Sequence, residues 1–221
     1  MKTRSCPAVN ITIAALAVFM CVALASPVAV TALKTGRAVP VYRTGDFGRL
    51  ALVITVEWDA SPLPDLLDAL SRLGVQATFA LGREFVEAEP ELTRRIAAEG
   101  HGIAALWEGG AEETVSIIES VTGSAPTAVF AEREDAPAAA RACAKSGLYT
   151  VCATVGLRSG EGTAADIAKR AESAAAGGVI FAAQPTRGLA EALPLIAEKI
   201  KNMGLDIVPV HKMLYNNNGS I

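Results

Sequence analysis

Carboxylates recur along this chain, and each group follows an apolar run. Glu57 and Asp59 flank Trp58 after "RLALVITV". Arg83 and Glu84 follow "VQATFAL", and Trp107 and Glu108 come at the end of "GIAALW". Glu132, Arg133, Glu134 and Asp135 follow "TAVF". Later runs end in Gly156 and Arg158, in Gln184, and in His211. Carboxylates gathered from several loops could hold a hard cation or move protons in a hydrolysis. Other catalytic groups are scarce. The chain has two histidines, His101 and His211, so a histidine-rich zinc site has almost no donors. Neither stands beside a serine or cysteine in an activating motif, so a triad hydrolase has no support. Charge in loops is also ordinary. The pattern by itself leaves two readings: solvated loops, or a polar mouth built from several strand ends.

The elements that would position these residues alternate. The run 49–56 reads as a buried strand. Leu63, Leu66, Leu67, Leu70 and Leu73 follow at helical spacing, and Gly74 stops that helix. Strand 75–81 comes next, then a helix over 90–100 with Pro90 at its start and Gly100 at its end. Strand "GIAALW", helix "EETVSIIESVTG", strand "TAVF", helix "APAAARACAKSG" and strand "LYTVCATV" continue the series. Helix "AADIAKRAESAAAGG", strand "VIFAA", helix "GLAEALPLIAEKIKNMG" and strand 206–210 complete it. Seven strands with helices between them predict an α/β fold with a parallel sheet. Either an open doubly wound sheet or a small closed barrel fits. No G-x-G-x-x-G follows the first strand, so a dinucleotide fold has little support. In both architectures a site lies where strands end. The alanine-rich helices 136–146 and 164–176 could pack on their own sheet or against another chain.

The chain has 221 residues, of which 51% are hydrophobic and only 5% aromatic, so its core is built from small side chains. The net charge is −3, and no basic stretch suggests nucleic-acid binding. The N-terminus has Lys2 and Arg4, then no charge until Lys34. Crossing a bilayer takes roughly 20 apolar residues, which this run supplies. The positive start would stay in the cytoplasm and the rest of the chain would be exported. Residues 1–33 read as a membrane anchor, with the span over 11–33, or as a signal peptide cleaved before Ser26. Residues 34–48 read as a linker, 49–215 as the domain and 216–221 as a flexible tail. Of the four cysteines, Cys143 and Cys152 lie in the domain. They read as small buried side chains, with a disulfide as the alternative.

The stretch 51–103 resembles the polysaccharide deacetylases, carbohydrate esterase family four. That family has an ALTFDDGP-type first motif, then "G-V-x-A-T-F-F-x-x-G", "P-E-L" and "G-H-E-I-G-N-H-x-x-x-H". A variant first motif, "ALTINVDWGEEYIPEIL", is typical of exported, often anchored proteins of spore-forming bacteria. Ile54, Val56, Trp58 and Pro64 match it without a gap. Gly74, Ala77-Thr78-Phe79, Gly82, Pro90-Glu91-Leu92 and Gly100-His101 match further on. The stretch 178–210 is similar to the family's "GAIILMHPTxxTxEALPxIIxxLKxKGYEFVTV".

The resemblance implies a distorted (β/α) barrel of about seven strands. It also implies a divalent metal, often zinc, held by one aspartate and two histidines, with a second aspartate as base and a later histidine as acid. At those positions this chain has Glu57 for the aspartate, Leu106 and Gly110 for the metal histidines, and Gln184 for the acid. Gly156 stands where an aspartate is expected near the fifth strand's end, and "FAERED" replaces F-R-P-P-Y-G. His101 matches a histidine that looks structural. The expectation is a domain that has lost metal and acid, with no zinc and no other cofactor. Trp58, Asp59, Trp107, Glu108, Glu132 and Arg133 would form a ligand mouth for cell-wall glycan or an envelope protein. Two alternatives stand: an active carbohydrate N-deacetylase rebuilt around Glu57, Glu108 and Glu132, and a structural component of envelope or spore assembly.

Overall fold

The computed structural model describes residues 38–214. The anchor or signal segment, Cys6, Cys21 and the tail lie outside the described residues. Among those described, no helix is long and apolar enough to cross a membrane.

The first strand, β1 (Arg49–Val56), explains the architecture. Its even-numbered residues Leu50, Leu52, Ile54 and Val56 lie in one apolar cluster, and Ala51 and Val53 lie in another. Strand side chains alternate between faces, so β1 is apolar on both. Such a strand needs cover on both sides. The outer face packs under helices α1 (Leu63–Leu73) and α7 (Arg187–Asn202), whose buried stripes include Leu66, Leu67, Leu70, Leu193 and Ile196. The inner face lines a narrow lumen. There β2 (Thr78–Leu81), β3 (Gly102–Leu106) and β4 (Ala128–Phe130) contribute Ala80, Ala104 and Ala128. Small side chains suit a small barrel's interior.

Two further strands, β5 (Tyr149–Val151) and β7 (Ile180–Ala183), extend the sheet with β6 (Val155–Gly156). The order is β5-β4-β3-β2-β1-β7-β6, and every ladder is parallel. A two-residue strand, β8 (Asp206–Ile207), pairs with the start of β1.

The run 148–155, read from sequence as one strand, is therefore two. The chain leaves the β4 edge at Val151 and joins the β7 edge at Val155. The two edges of the curled sheet face each other across a seam, and Cys152–Thr154 span it covalently. Residues 41–44 fill the seam. Val41 N–H donates to Thr150 O (2.8 Å) and Cys152 N–H to Val41 O (2.9 Å). Thr44 N–H donates to Gly178 O (2.9 Å), and Thr154 Oγ1 donates to Tyr42 O. Gly178 has φ +79°, and a side chain there would strike the Thr44 carbonyl. So part of the stretch read as a linker is built into the barrel wall. Cys152, buried beneath this strap, is a free thiol, as is Cys143, and burial pushes the Cys152 thiol up to about 11.

The run 206–210 also departs from expectation. Pro209 has no N–H to continue a ladder, and Val210 N–H donates instead to Thr78 Oγ1 (2.9 Å). The short helix α8 (Val210–Leu214) follows. Its Val210, Met213 and Leu214 plug the lumen at the end where the strands start. The remaining helices lie outside. They are α2 (Arg83–Ala88), absent from the sequence reading, α3 (Pro90–Ala98), α4 (Glu112–Thr122), α5 (Ala136–Cys143) and α6 (Ala164–Ala174). Helix α5 buries Ala136, Ala139 and Ala140 against its own domain.

Candidate functional site

At the opposite end, where the strands stop, a cleft of about 790 Å³ opens. The alternation that sends Ala51 and Val53 into the lumen carries on upward. Thr55 of β1 and Glu57 just past it, Ala182 of β7 and Gln184 just past it, and Leu106 of β3 with Glu108 two residues on line the cleft. Trp107, Glu132, Arg133, Gly156 and Arg158 complete the predicted residues found there. Strand ends alone thus bring together nine of the expected positions.

The floor is apolar. Leu106 is paired in register with Phe130, is only 8% exposed, and belongs to the lumen cluster. Above it the walls are charged, but several charges are engaged. Glu108 Oε2 accepts from Arg83 N–H (3.3 Å) at the start of α2, where Gly82 offers no side-chain cap. A Cβ on Gly82 would sit 2.7 Å from Glu57 O and 2.9 Å from Glu108 Oε1, so only glycine lets these loops meet. Arg133 stacks over the Tyr42 ring at 4.9 Å and donates to Ala153 O (3.4 Å). The strap therefore backs the cleft wall by holding Arg133 in place. The side chains of Glu57 and Glu132 enter no ion pair or hydrogen bond among the described residues.

The loop 157–163 forms the remaining wall. Arg170 of α6 pins it by donating to Leu157 O (2.9 Å), Arg158 O (2.9 Å) and Glu161 O (2.7 Å). Ser159, buried here, exchanges two hydrogen bonds with the Gln184 backbone (2.8 and 2.9 Å). Sequence reasoning missed Ser159 and Glu161. The available signal was the Thr163–Asp166 capping box, which fixes the start of α6 and leaves 157–162 as a strand-end loop.

Four of the expected site positions, Trp58, Asp59, Gly110 and His211, lie elsewhere. Trp58 is 69% exposed outside the cleft. Asp59 accepts from Ser61 Oγ (2.7 Å) and Ser61 N–H (2.9 Å), which holds its carboxyl below the usual range and fixes the turn before α1. Gly110 is exposed on the loop before α4, with open space around it. His211, read as a strand-end residue of the mouth, is at the other end of the barrel in α8, because strand 206–210 stops early. His101 is also at that end. Its Nδ1 accepts from Ala77 N–H (3.2 Å), its ring meets Phe79 edge-on, and burial lowers its pKa.

The metal implied by the resemblance does not fit the residues present. Glu57 offers one carboxylate, Leu106 a hydrocarbon on the lumen floor, and Gly110 no side chain. Among the described residues, no three His, Cys, Asp or Glu side chains stand together as a metal site would need. Glu57, Glu108 and Glu132 share the cleft without forming such a group.

No family model matches the sequence. Solved structures do match. The pseudoenzyme BA3943 from Bacillus anthracis, of family four of the carbohydrate esterases, superposes with a TM-score of 0.71 at 19% identity, over 80% of this chain and 69% of that one. PdaA from Bacillus subtilis, a family 4 carbohydrate esterase, gives 0.72 at 16% identity over 85% and 89%. The peptidoglycan deacetylase PdaC from Bacillus subtilis gives 0.65 at 19% over 78% and 92%. The fold is that of the family-four carbohydrate esterases. This agrees with the barrel implied by the sequence motifs, and it puts the esterase-like scaffold on a footing independent of residue identity.

Proposed function

We propose that this chain is an exported, non-catalytic glycan-binding protein of the cell envelope, a pseudoenzyme on the esterase scaffold. The observation that carries the reading is the cleft itself. It retains depth, a polar wall and an aromatic side chain, Trp107, yet the positions that would hold metal and acid are Leu106, Gly110 and Gln184. Gln184 cannot transfer a proton near neutral pH. Glu108, which a rebuilt carboxylate site would need, serves as the cap of α2. A precedent exists in BA3943, a pseudoenzyme of this fold, one mutant of which has restored enzymatic activity. Export is supported by the positive start and uncharged run of the N-terminus.

The ligand would be a wall-type oligosaccharide, held by Glu57, Glu132 and Arg133 with sugar faces against Trp107. Calorimetric titration of the domain with N-acetylated chitin and peptidoglycan oligomers tests this. Binding weakened by about tenfold, or 1.4 kcal/mol, in Glu132→Gln or Arg133→Ala is expected. No heat with any oligomer, at a protein concentration where the fold is intact, would refute it.

A further inference from the structure

The two ends of the barrel differ in character. The cleft end is mainly acidic, with Glu57, Glu108, Glu132, Glu134 and Glu161 against Arg83, Arg133 and Arg158 in its loops. The other end carries exposed cations at Lys145, Lys201 and Lys212. It also carries most of the exposed large apolar side chains among the described residues. Phe47 is 91% exposed in the turn before β1, Val39 begins the strap, Leu73 ends α1, and Met203 follows α7. Asp206 N–H donates to Gly48 O (3.1 Å), so the turn bearing Met203 lies beside the one bearing Phe47. Beside Phe47, Asp46 is neutralised by Arg49 and Asp206 is the exposed acid. An exposed aromatic side chain on an end that also carries apolar and basic groups is what an interfacial membrane contact uses.

The chain's path selects the occupant. The uncharged N-terminal run ends at Leu33, and the strap is hydrogen-bonded to the barrel from Val41. Seven residues span at most about 25 Å when fully extended. The strap's start, with Val39, approaches from the end where β5 begins, because Val41 runs parallel to that strand. A bilayer tether on so short a leash holds the domain with this end down.

We propose that the end of the barrel opposite the cleft rests on an anionic lipid surface, with Phe47 inserted and the cleft turned away toward the wall. The proposal rests on the tether being retained. It makes the cleft's orientation a consequence of the strap: the same residues that close the seam fix which way the barrel stands.

The test uses the full chain in vesicles of phosphatidylglycerol and phosphatidylcholine containing brominated lipid, which quenches tryptophan on contact. A Trp58→Phe, Trp107→Phe, Phe47→Trp variant reports on this face. A chain keeping only Trp58 reports on the cleft end. Strong quenching at position 47, by roughly half or more as for a ring within the acyl boundary, with position 58 unquenched, is the expected result. Lys145→Glu, Lys201→Glu and Lys212→Glu together should reduce it. A chain that floats with the vesicles while position 47 stays unquenched refutes the face. A chain that does not float refutes the tether, and the proposal falls with it. Neither outcome touches glycan binding in the cleft.

Discussion

Leu106 and Phe130 stand side by side in register on β3 and β4 and seal the top of the alanine-lined lumen. A metal-binding histidine at position 106 would replace that seal with an imidazole reaching up into the cleft. Position 106, where the family resemblance implies a metal ligand, is a packing position in this structure.

Replacing Leu106→His, Gly110→His and Glu57→Asp together should produce measurable zinc binding by calorimetry where the unmodified domain has none, provided the imidazole at the exposed position 110 reaches from its loop over the cleft. The loss of the apolar seal should lower stability by about 0.5–3 kcal/mol. Acetate release need not return, because base and acid remain absent. A correctly folded triple variant with no zinc affinity would mean the three positions do not converge.

Helix α1 provides a check on the outer core. Leu67 and Leu70 are fully buried, so truncating either to alanine should cost about 2–5 kcal/mol. Asp68 pairs with Arg95 on the surface, and Asp68→Ala should cost under about 1 kcal/mol. Denaturant melts showing equal effects would contradict the packing described.

The strap makes its own prediction. A chain beginning at residue 38 should be more stable than one beginning at residue 45. Several seam hydrogen bonds would be lost, at about 1 kcal/mol each. Matching unfolding midpoints would show that the seam closes without it.

Stability should also depend on pH through His101. Burial holds its pKa below the ordinary 6.5. Its Nδ1 already accepts from Ala77, so protonation would set two donors against each other. Above about 6.5 the imidazole is neutral folded or unfolded, and stability is complete; below it the unfolded chain takes the proton first. Stability should therefore fall as pH drops from 6.5 toward the depressed folded value. His101→Asn should reduce that slope, and His211→Asn, at a half-buried histidine whose pKa burial lowers in the same direction, should reduce the rest. An unchanged slope in both single variants would refute this.

Much of the barrel was legible because both-face burial leaves long apolar runs, and helix stops such as Gly74 are local. The split at Cys152–Thr154 was not, since closing a sheet is a long-range event and the run reads as continuous β sequence. Strand 206–210 misled for a similar reason: Val208 and Val210 look like ladder residues, and only tertiary contact with Thr78 turns them into a plug. The site was legible where the family motif or a strand end marked a residue that the period-2 alternation of the folded strand turns toward the cleft, as at Glu57, Leu106 and Gln184. Trp58 and Asp59 were placed in the mouth by adjacency to Glu57, although Trp58 follows it on the opposite side of the alternation and Asp59 folds back into a turn. Gly110 lies four residues beyond Leu106, in a loop where strand geometry no longer applies.

The central claim is that the cleft no longer does metal chemistry. Its most direct test measures zinc content and acetate release together on the purified domain, supplied with zinc and N-acetylated chitin or peptidoglycan oligomers. A catalytic zinc normally has three protein ligands and one open position, and the aligned positions here supply one candidate, Glu57. The account predicts no stoichiometric zinc and no acetate above the protein-free blank. Stoichiometric tight zinc with acetate release, both abolished by Glu57→Ala or Glu108→Ala, would contradict it and establish a rebuilt enzyme.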